Sequence, residues 1–508
     1  MSQQLFKSTA VVSSMTLISR LLGFVRDMLI ARIFGVDIAT DAFFVAFKIP
    51  NLFRRLFAEG AFSHVFVPVL IANKSQKGND ELKLLIERIA GTLAVILAAI
   101  TVLSIIIAPL LIWILAPGFA WQGLQHDLAV QMLQITLPFL FFIGLVAFAG
   151  SVLNAYGKFA VPAITPVFLN ITMIVAAIWI APMMDVPVIA LAWGVFAAGI
   201  VQLLFQIPAL MQVGINVRFK LGFHDSEVNK ILGLMMPAIF SVSITQINLL
   251  VDTLIASFLK TGSVSWLYYS DRLVEFPMGL LGLGLGAVIL PSLASSHAAD
   301  DPKTFSNSMD WGLRLVLLIG MPSTLGLFFL AEPMLSTLFQ YKEFGVTDVF
   351  YSGQSLKAYS LGLMAYIAIK VLVPGFTSRQ DVNTPVRFGM YAMLASLVLN
   401  LVLVIPLAHA GLALATSLGA FVNAVLLLRQ LLRANVYQPA GRWWVFMVRI
   451  LIASVAMAAV LYYWVDVTWW YQWSSLQRLV NLIKWMVIAG SAYVGTLFML
   501  GFKCRHLK

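Results

Sequence analysis

Long apolar runs, separated by short polar segments, extend along almost the whole chain. A helix that crosses a bilayer needs about 20 mostly apolar residues, and the chain contains about fourteen runs that meet this requirement. The polar segments between the runs are too short to form a separate soluble domain. The pattern therefore predicts an all-α polytopic membrane protein with about 14 transmembrane helices.

Two longer polar segments divide these runs. One separates the first six runs from the next six, and the other, near residues 433–444, sets off the last two. We therefore predict two six-helix bundles plus two C-terminal helices. The expected ranges are an N-terminal bundle at 1–212, a cytoplasmic linker at 213–229, a C-terminal bundle at 230–433 and the two extra helices at 445–502.

Composition agrees with a membrane protein, because 61% of the residues are hydrophobic and only 11% are charged. Basic residues are concentrated on alternate connections, so the positive-inside rule predicts that both termini are cytoplasmic. We accordingly interpret the formal net charge of +11 as a topology signal and expect no nucleic-acid partner. The single cysteine, Cys504, excludes an internal disulfide framework.

A row of charges interrupts the second apolar run. Asp41, Lys48 and Arg55 recur every seven residues, and Glu59 continues the row. Seven residues fall about 20° short of two helical turns, so these side chains share one face of a helix. Because a charge at mid-bilayer is costly, this face must be turned toward protein or water. We expect Pro50 to interrupt the helix beside the row.

Charges within the predicted membrane helices cluster on the first two helices and again on the corresponding pair of the second half. The first cluster comprises Arg20, Arg26, Asp27, Lys48, Arg54, Arg55 and Glu59. The second cluster comprises Asp252, Asp271, Arg272 and Glu275. Arg272 and Glu275 are at helical contact spacing. The correspondence suggests parallel repeats with a ligand site between the two halves.

Two interpretations of these charges stay open at this stage. The charges either neutralise one another and lock the helices together, or they bind a ligand. Arginine predominates among the cations, and its planar guanidinium group binds phosphate and carboxylate through paired hydrogen bonds. The cluster therefore favours a wet cavity that receives a bulky, phosphate-bearing anion, with the carboxylates holding the arginines when the site is empty.

Two charges stand apart from the clusters. Asp252 lies deep in the seventh apolar run, where it is either a buried, hydrogen-bonded acid or a candidate ion- or proton-binding residue. Arg449 lies near the start of the thirteenth run and can extend to the cytoplasmic interface. The chain has no GxxxxGK[ST] loop and no histidine or cysteine cluster with metal-ligand spacing. We therefore predict that the protein is not an enzyme and has no catalytic residue, cofactor or metal site.

Three stretches closely resemble the MurJ/MviN family of the multidrug/oligosaccharidyl-lipid/polysaccharide exporter superfamily. They are SRLLGFVRD at Ser19–Asp27, the stretch from Thr40 to Leu70 that contains NLFRRLFAEGAF, and the stretch from Ser265 to Leu293. The resemblance extends over essentially the whole chain. It implies a lipid II flippase of peptidoglycan biosynthesis in the bacterial inner membrane. It also implies alternating access by a V-shaped pair of bundles around a central cationic cavity, with a hydrophobic groove for the lipid tail in the last two helices.

The resemblance and the charge pattern together assign roles to individual residues. The predicted substrate-binding residues are Arg20, Arg26, Arg54, Arg55 and Arg272. The predicted cavity and gating residues are Asp27, Asp41, Lys48, Glu59, Asp271 and Glu275. By resemblance Arg449 belongs to the lipid-tail groove, and Asp252 remains the candidate ion-binding residue.

The implied partners are lipid II, which is an undecaprenyl-diphosphate-linked disaccharide-pentapeptide, and membrane lipids, with cell-wall synthesis proteins as further candidates. Two other functions stay open. One is an ion- or proton-coupled drug or polysaccharide-lipid exporter of the same superfamily, whose depletion would leave cell-wall synthesis intact. The other is a membrane-embedded glycosyltransferase, although the acids that such chemistry needs are not concentrated in the outer loops.

Overall fold

The computed structural model describes residues 3–57, 66–70, 79–215, 219–441 and 443–503. These residues form helices joined by short connections, and no strand occurs among them. The predicted all-α class is therefore confirmed. Contacts divide the chain into two compact units, Met1–Val264 and Ser265–Lys508. The ranges predicted for the two bundles, the linker and the C-terminal pair remain predictions.

The α-helices are numbered here in chain order. Those described in the first unit are α1 Gln3–Phe34, α2 Ile38–Arg54, α3 Asn79–Ile106, α4 Ala108–Leu115, α5 Leu124–Thr136, α6 Pro138–Ala155, α7 Ala160–Ile164, α8 Val167–Val175, α9 Ile189–Gln212 and α10 Ser226–Ala256. The next helix, α11 Ser263–Ala298, begins at the unit boundary. Those that follow are α12 Pro302–Phe329, α13 Ala331–Phe339, α14 Val346–Thr377, α15 Asn383–Arg433, α16 Trp443–Trp464, α17 Val467–Gln472 and α18 Ser475–Met499.

Among the described residues, 9 helical segments are long and apolar enough to cross a membrane. One of them, α15, has 51 residues and contains a kink at Ala408, where φ is 48°. At the helical rise, 51 residues would extend about 76 Å, far more than a bilayer thickness, so α15 includes two of the predicted crossings. The chain is thus a multi-pass membrane protein, and the total of about fourteen crossings remains a prediction.

Helix α2 starts with a capping box and continues through Pro50. Asp37 Oδ1 accepts a hydrogen bond from Thr40 N at 2.7 Å, and Thr40 Oγ1 accepts one from Asp37 N at 2.8 Å. The expected interruption at Pro50 is wrong, because α2 includes this buried proline and ends at Arg54. Neighbouring helices allow proline inside a membrane helix by providing other partners for the freed backbone groups. Directly after α2, the α-helix gives way to a π-helical turn at residues 55–57.

The segment that precedes α10 is docked on α3. Lys220 N donates to the Glu87 carbonyl oxygen at 3.2 Å, and Lys220 Nζ lies 2.7 Å from Glu87 Oε2. Arg88 Nη1 lies 2.6 Å from Asp225 Oδ2, and this hydrogen bond lowers the pKa of the Asp225 carboxyl group. The segment therefore holds the start of α10 on the first unit.

Alanine at Gly91 is expected to displace this segment from α3. A Cβ atom at Gly91 would lie 2.2 Å from the Lys220 carbonyl oxygen, so the two backbones must separate. Overpacking of this kind costs about 1–3 kcal/mol. Hydrogen–deuterium exchange at residues 219–225 should increase in Gly91→Ala. The matched control is Gly233→Ala on α10, where no atom lies within 4 Å of an added Cβ. Equal exchange in the two variants would contradict the docking.

The C-terminal pair, α16 and α18, packs together and against α12 and α13 of the second unit. Their shared apolar cluster comprises Leu330, Phe446, Ile450, Ala453, Met457, Leu461, Leu482, Ala489, Tyr493 and Leu497. Tyr493 OH also donates to the Leu318 carbonyl oxygen at 2.8 Å. Other faces of the pair expose large apolar side chains such as Leu451, Val487 and Phe498, as expected for helices in contact with lipid.

Candidate functional site

Arg26 and Asp27 form a buried ion pair on α1. Arg26 Nε and Nη2 donate to Asp27 Oδ1 at 2.9 and 2.7 Å. Arg26 Nη1 donates to Asn170 Oδ1 on α8 at 3.0 Å, and Asn170 Nδ2 donates to the Ser19 carbonyl oxygen at 3.0 Å. Arg26 is 6% exposed and Asp27 is 1% exposed. The group therefore links α1 to α8, and the substrate-binding role of Arg26 remains a prediction.

Asp41 is buried near the start of α2, where Oδ2 accepts a hydrogen bond from Gly262 N at 2.6 Å. Gly262 has φ 99°, a conformation that favours glycine. Close by in the sequence, Ser257 Oγ accepts a hydrogen bond from Gly118 N at 3.0 Å. These hydrogen bonds attach the C-terminal end of α10 and the turn after it to other parts of the first unit. The segment docked on α3 does the same at the N-terminal end, so both ends of α10 are fixed within that unit.

Arg54 and Arg55 are half-buried at the end of α2. Arg54 Nε donates to Asn51 Oδ1 at 3.1 Å, and Arg55 Nη1 donates to Gln246 Oε1 on α10 at 3.2 Å. An amide oxygen orients a guanidinium group and carries no formal charge. Lys48, about two helical turns before them, is also half-buried. Glu59, the predicted continuation of the charged row, lies outside the described residues.

Side-chain exposure separates the predicted cavity cations of the first unit into two groups. Arg20 is exposed on α1, and Lys48, Arg54 and Arg55 are half-buried, whereas Arg26 is buried within its own network. A ligand can therefore contact the exposed and half-buried cations while the helices stay folded. Arg26 would have to exchange its partners on Asp27 and Asn170 before it could contact one.

The second unit contains one of the predicted substrate-binding arginines, Arg272. Arg272 Nη1 lies 2.6 Å from Glu275 Oε2, which confirms the contact predicted from their spacing. The Arg272 guanidinium group also lies 4.8 Å from the centre of the Tyr268 ring. The side chains of Arg272 and Glu275 are 24% and 30% exposed, so an anion can approach the guanidinium group. Asp271 is half-buried beside them.

Two further predicted residues occupy different environments. Asp252, on α10, is 7% exposed and is therefore buried within the protein. Arg449 is half-buried on α16, beside Ile450 of the apolar cluster. Their roles in ion binding and in the lipid-tail groove remain predictions. In the part of the chain that the structure describes, no group of three or more His, Cys, Asp or Glu residues is placed to hold a metal ion.

Sequence reasoning overlooked a buried acid that joins α12 to the segment before α16. Asp310 Oδ2 lies 2.6 Å from Arg314 Nε, and Asp310 Oδ1 accepts hydrogen bonds from Tyr437 OH at 2.8 Å and from Trp443 Nε1. Burial raises the pKa of Tyr437, so its hydroxyl remains a donor. The sequence contains a signal for this ion pair, because Asp310 and Arg314 are opposite charges four residues apart beside an apolar run.

Alanine at Asp310 is expected to destabilise the second unit strongly. Arg314 is 8% exposed, and removing one partner of a buried ion pair costs about 3–5 kcal/mol. Thermal unfolding of the detergent-solubilised protein should show a lower Tm for Asp310→Ala. Asp127→Ala is the matched control, because that side chain is 83% exposed. The double variant Asp310→Leu/Arg314→Met should recover only part of the loss, because Tyr437 OH and Trp443 Nε1 still lose their acceptor. Equal Tm values for the two single variants would refute the assigned role.

Two more charged groups hold the short helix α13. Glu332 Oε1 lies 2.6 Å from Lys357 Nζ, and Glu332 Oε2 accepts a hydrogen bond from Tyr471 OH at 2.8 Å. Arg478 donates to the carbonyl oxygens of Trp470 at 2.8 Å and Gln340 at 2.9 Å. The Glu332–Lys357 pair could have been suspected from its charges, but the carbonyl partners of Arg478 leave no signal in the sequence.

Comparison with known proteins identifies close relatives of the whole chain. The family model described as "Lipid II flippase MurJ" matches residues 30–483. A "Probable lipid II flippase MurJ" of Vibrio cholerae is 44% identical, over 100% of this chain and 98% of the relative. A "Lipid II flippase MurJ" of Burkholderia cenocepacia is 40% identical, over 99% of each chain.

Solved structures show the same architecture. One described as "Lipid II flippase MurJ, inward closed conformation" matches with a TM-score of 0.80 and 27% identity, over 96% of this chain and 100% of that chain. An inward-facing multidrug resistance MATE family transporter matches with a TM-score of 0.67 and 15% identity, over 84% of this chain and 98% of that chain. The second likeness concerns the fold alone.

Proposed function

Because the chain belongs to the lipid II flippase MurJ family, we propose that it flips lipid II, the lipid-linked peptidoglycan precursor, from the cytoplasmic to the periplasmic leaflet. The observation that carries this proposal is the relationship to flippases over essentially the full length of the chain. The mechanism is alternating access through a cationic cavity. Transport of this kind requires no catalytic residue.

The positions of the arginines support the substrate class. Lipid II combines a polar head, a diphosphate and a long apolar tail, so its diphosphate needs cations inside the membrane. Arg54 and Arg55 in the first unit are half-buried and oriented by amide oxygens. Arg272 in the second unit is held by Glu275 and is partly exposed. A diphosphate can replace the carboxylate on such a guanidinium group, because both anions match its planar fork.

The remaining assignments follow from the same proposal. The protein resides in the bacterial inner membrane with both termini in the cytoplasm, and it contacts membrane lipids there. The C-terminal helices α16 and α18, with Arg449, form the groove for the polyprenyl tail. Asp41, Lys48, Glu59, Asp271 and Glu275 line or gate the cavity, Asp252 is a candidate ion-binding residue, and cell-wall synthesis proteins are candidate partners.

Depletion of the protein in cells, followed by a topological assay of lipid II, tests this function. The expected result is accumulation of lipid II on the cytoplasmic leaflet and arrest of cell-wall synthesis. If depletion leaves the leaflet distribution unchanged, the proposal fails. Unchanged lipid II together with loss of drug or polysaccharide-lipid export would favour the ion- or proton-coupled exporter.

A further inference from the structure

One membrane segment of the first unit is interrupted between α7 and α8. These two helices belong to a single segment that is long and apolar enough to span the membrane, and Thr165 and Pro166 join them. Because Pro166 has no N–H group, it cannot donate to the Pro162 carbonyl oxygen four residues earlier. A carbonyl group freed in this way inside a membrane needs another partner, and at interrupted helices such groups can coordinate ions.

Gln206 of α9 contacts this interruption. Its Nε2 atom donates to Thr165 Oγ1 at 3.0 Å, and Thr165 Oγ1 donates in turn to the Val161 carbonyl oxygen at 2.7 Å. Since the hydroxyl hydrogen is already used, Thr165 accepts from the amide nitrogen and leaves the Gln206 amide oxygen without a donor. A Cβ atom at Gly150 of α6 would lie 3.4 Å from Pro162 Cβ and 3.8 Å from Gln206 Nε2. Helices α6, α7 and α9 therefore meet at this point.

A second buried glutamine lies one turn away on α9. Gln202 precedes Gln206 by four residues, so the two side chains are neighbours on one face of the helix. Each residue is only 1% exposed. Within the part of the chain that the structure describes, neither Oε1 atom accepts a hydrogen bond. Buried polar atoms in folded proteins nearly always have a partner, so two such oxygens side by side indicate a ligand.

The chemistry of this cluster selects the class of ligand. Its buried side-chain atoms without a partner, among the described residues, are the two amide oxygens, and the Pro162 carbonyl group adds a third oxygen. Oxygen acceptors suit a cation, whereas a buried water molecule also needs a donor for its own oxygen. The three groups include no carboxylate, which Mg²⁺ and Ca²⁺ usually require. Neutral oxygens of this kind bind monovalent cations, as the carbonyl oxygens of potassium-channel filters do.

We propose that Gln202, Gln206 and the Pro162 carbonyl oxygen bind a monovalent alkali cation inside the first unit. The bound cation joins α9 to the interruption between α7 and α8 and fixes the packing of these helices. Asp252, the candidate ion-binding residue, lies on another helix, α10, and is not one of these ligands. The inference is independent of the proposed lipid II transport, because it concerns a site within the packed interior of one unit.

Binding of radioactive Na⁺ and Rb⁺ to the purified full chain tests the proposal. Every protein carries Asp252→Asn, which removes the other candidate ion-binding residue, and choline chloride replaces other salts in the buffer. The Asp252→Asn protein should bind at least one of the two ions saturably. Adding Gln202→Leu should weaken this binding about tenfold, because one oxygen ligand is lost. Adding Gln134→Leu, at an exposed glutamine of α5, is the control and should leave binding unchanged.

Gln202→Glu is a second variant, and its expected effect has the opposite sign. At alkaline pH, a carboxylate of nearly the same shape should bind the cation at least about tenfold more tightly, because opposite charges attract strongly in a buried site. A glutamine that only packs against its neighbours gives no such gain. The alkali salt should also raise the Tm of this variant more than that of the Asp252→Asn protein, because the bound cation compensates the buried carboxylate.

Three results would overturn the inference. One is the absence of saturable binding of either ion by the Asp252→Asn protein, which would assign water to the cluster. Another is equal affinity of the Gln202→Leu and Gln134→Leu proteins. The third covers the case in which Gln202→Leu does not fold, which its Tm in choline chloride reveals: the inference then fails if Gln202→Glu gains neither affinity nor salt-dependent stability.

Discussion

Alanine at Arg54 is expected to reduce lipid II flipping about a hundredfold while folded protein stays in the membrane. The lost contact is a charge-assisted one between a guanidinium group and a diphosphate, whose truncation costs about 2–5 kcal/mol. Arg54 is half-buried, and one of its hydrogen bonds is donated by Nε to Asn51 Oδ1 on the same helix at 3.1 Å. Flipping and the amount of folded protein are measured on the same membrane preparation.

Two variants control this result. Arg54→Lys keeps the charge and removes the planar fork, so it should retain flipping only if charge alone suffices. Arg429→Ala removes an exposed arginine near the end of α15 and should flip lipid II normally. Normal flipping by well-expressed Arg54→Ala, or a loss of flipping that follows a loss of folded protein, would contradict a substrate-binding role.

Alanine at Arg26 is expected to act in a different way, by lowering the amount of folded protein. Asp27 is 1% exposed and would lose the guanidinium group that lies 2.7 Å from its Oδ1 atom. Breaking a buried ion pair costs about 3–5 kcal/mol, a large part of the stability of a typical domain. The hydrogen bond from Arg26 to Asn170 on α8 is lost as well. Thermal unfolding in detergent and the yield of membrane-inserted protein measure the effect.

A double variant separates structure from binding at this position. Arg26→Met with Asp27→Leu removes both charges and should restore much of the folded protein, because no unpaired acid is left. Arg26 would be a direct ligand of the diphosphate if Arg26→Ala were as stable as the wild type and yet inactive. That outcome would overturn the assignment of Arg26 to the α1–α8 contact.

Two features that depend on neighbours in the sequence were predicted correctly. The contact between Arg272 and Glu275 follows from three-residue spacing on a helix, and the structure confirms it. The all-α membrane class follows from the length of the apolar runs and is also confirmed. Both depend on helix geometry alone, which is the same wherever the helix is packed.

Features that depend on distant residues could not be predicted. The partner of Arg26 on α8 is 144 positions away, and Arg478 is held by backbone carbonyl oxygens, which every residue has. Pro50 remains inside α2 because surrounding helices bury it, and local propensity alone does not reveal this. The pairing of Asp310 with Arg314 is different, because opposite charges four residues apart on a helix are a local signal that the sequence does contain.

Reconstitution of the purified chain into lipid vesicles tests whether the protein flips lipid II through a cationic cavity. Vesicles carry lipid II in both leaflets, and a membrane-impermeant reagent modifies the lipid II that reaches the outer surface. We expect the wild type to make the whole lipid II pool reactive, whereas Arg54→Ala and Arg272→Ala leave the inner-leaflet fraction protected. If that fraction stays protected with the folded wild-type protein, or becomes reactive equally fast with both arginine variants, flipping through a cationic cavity is contradicted.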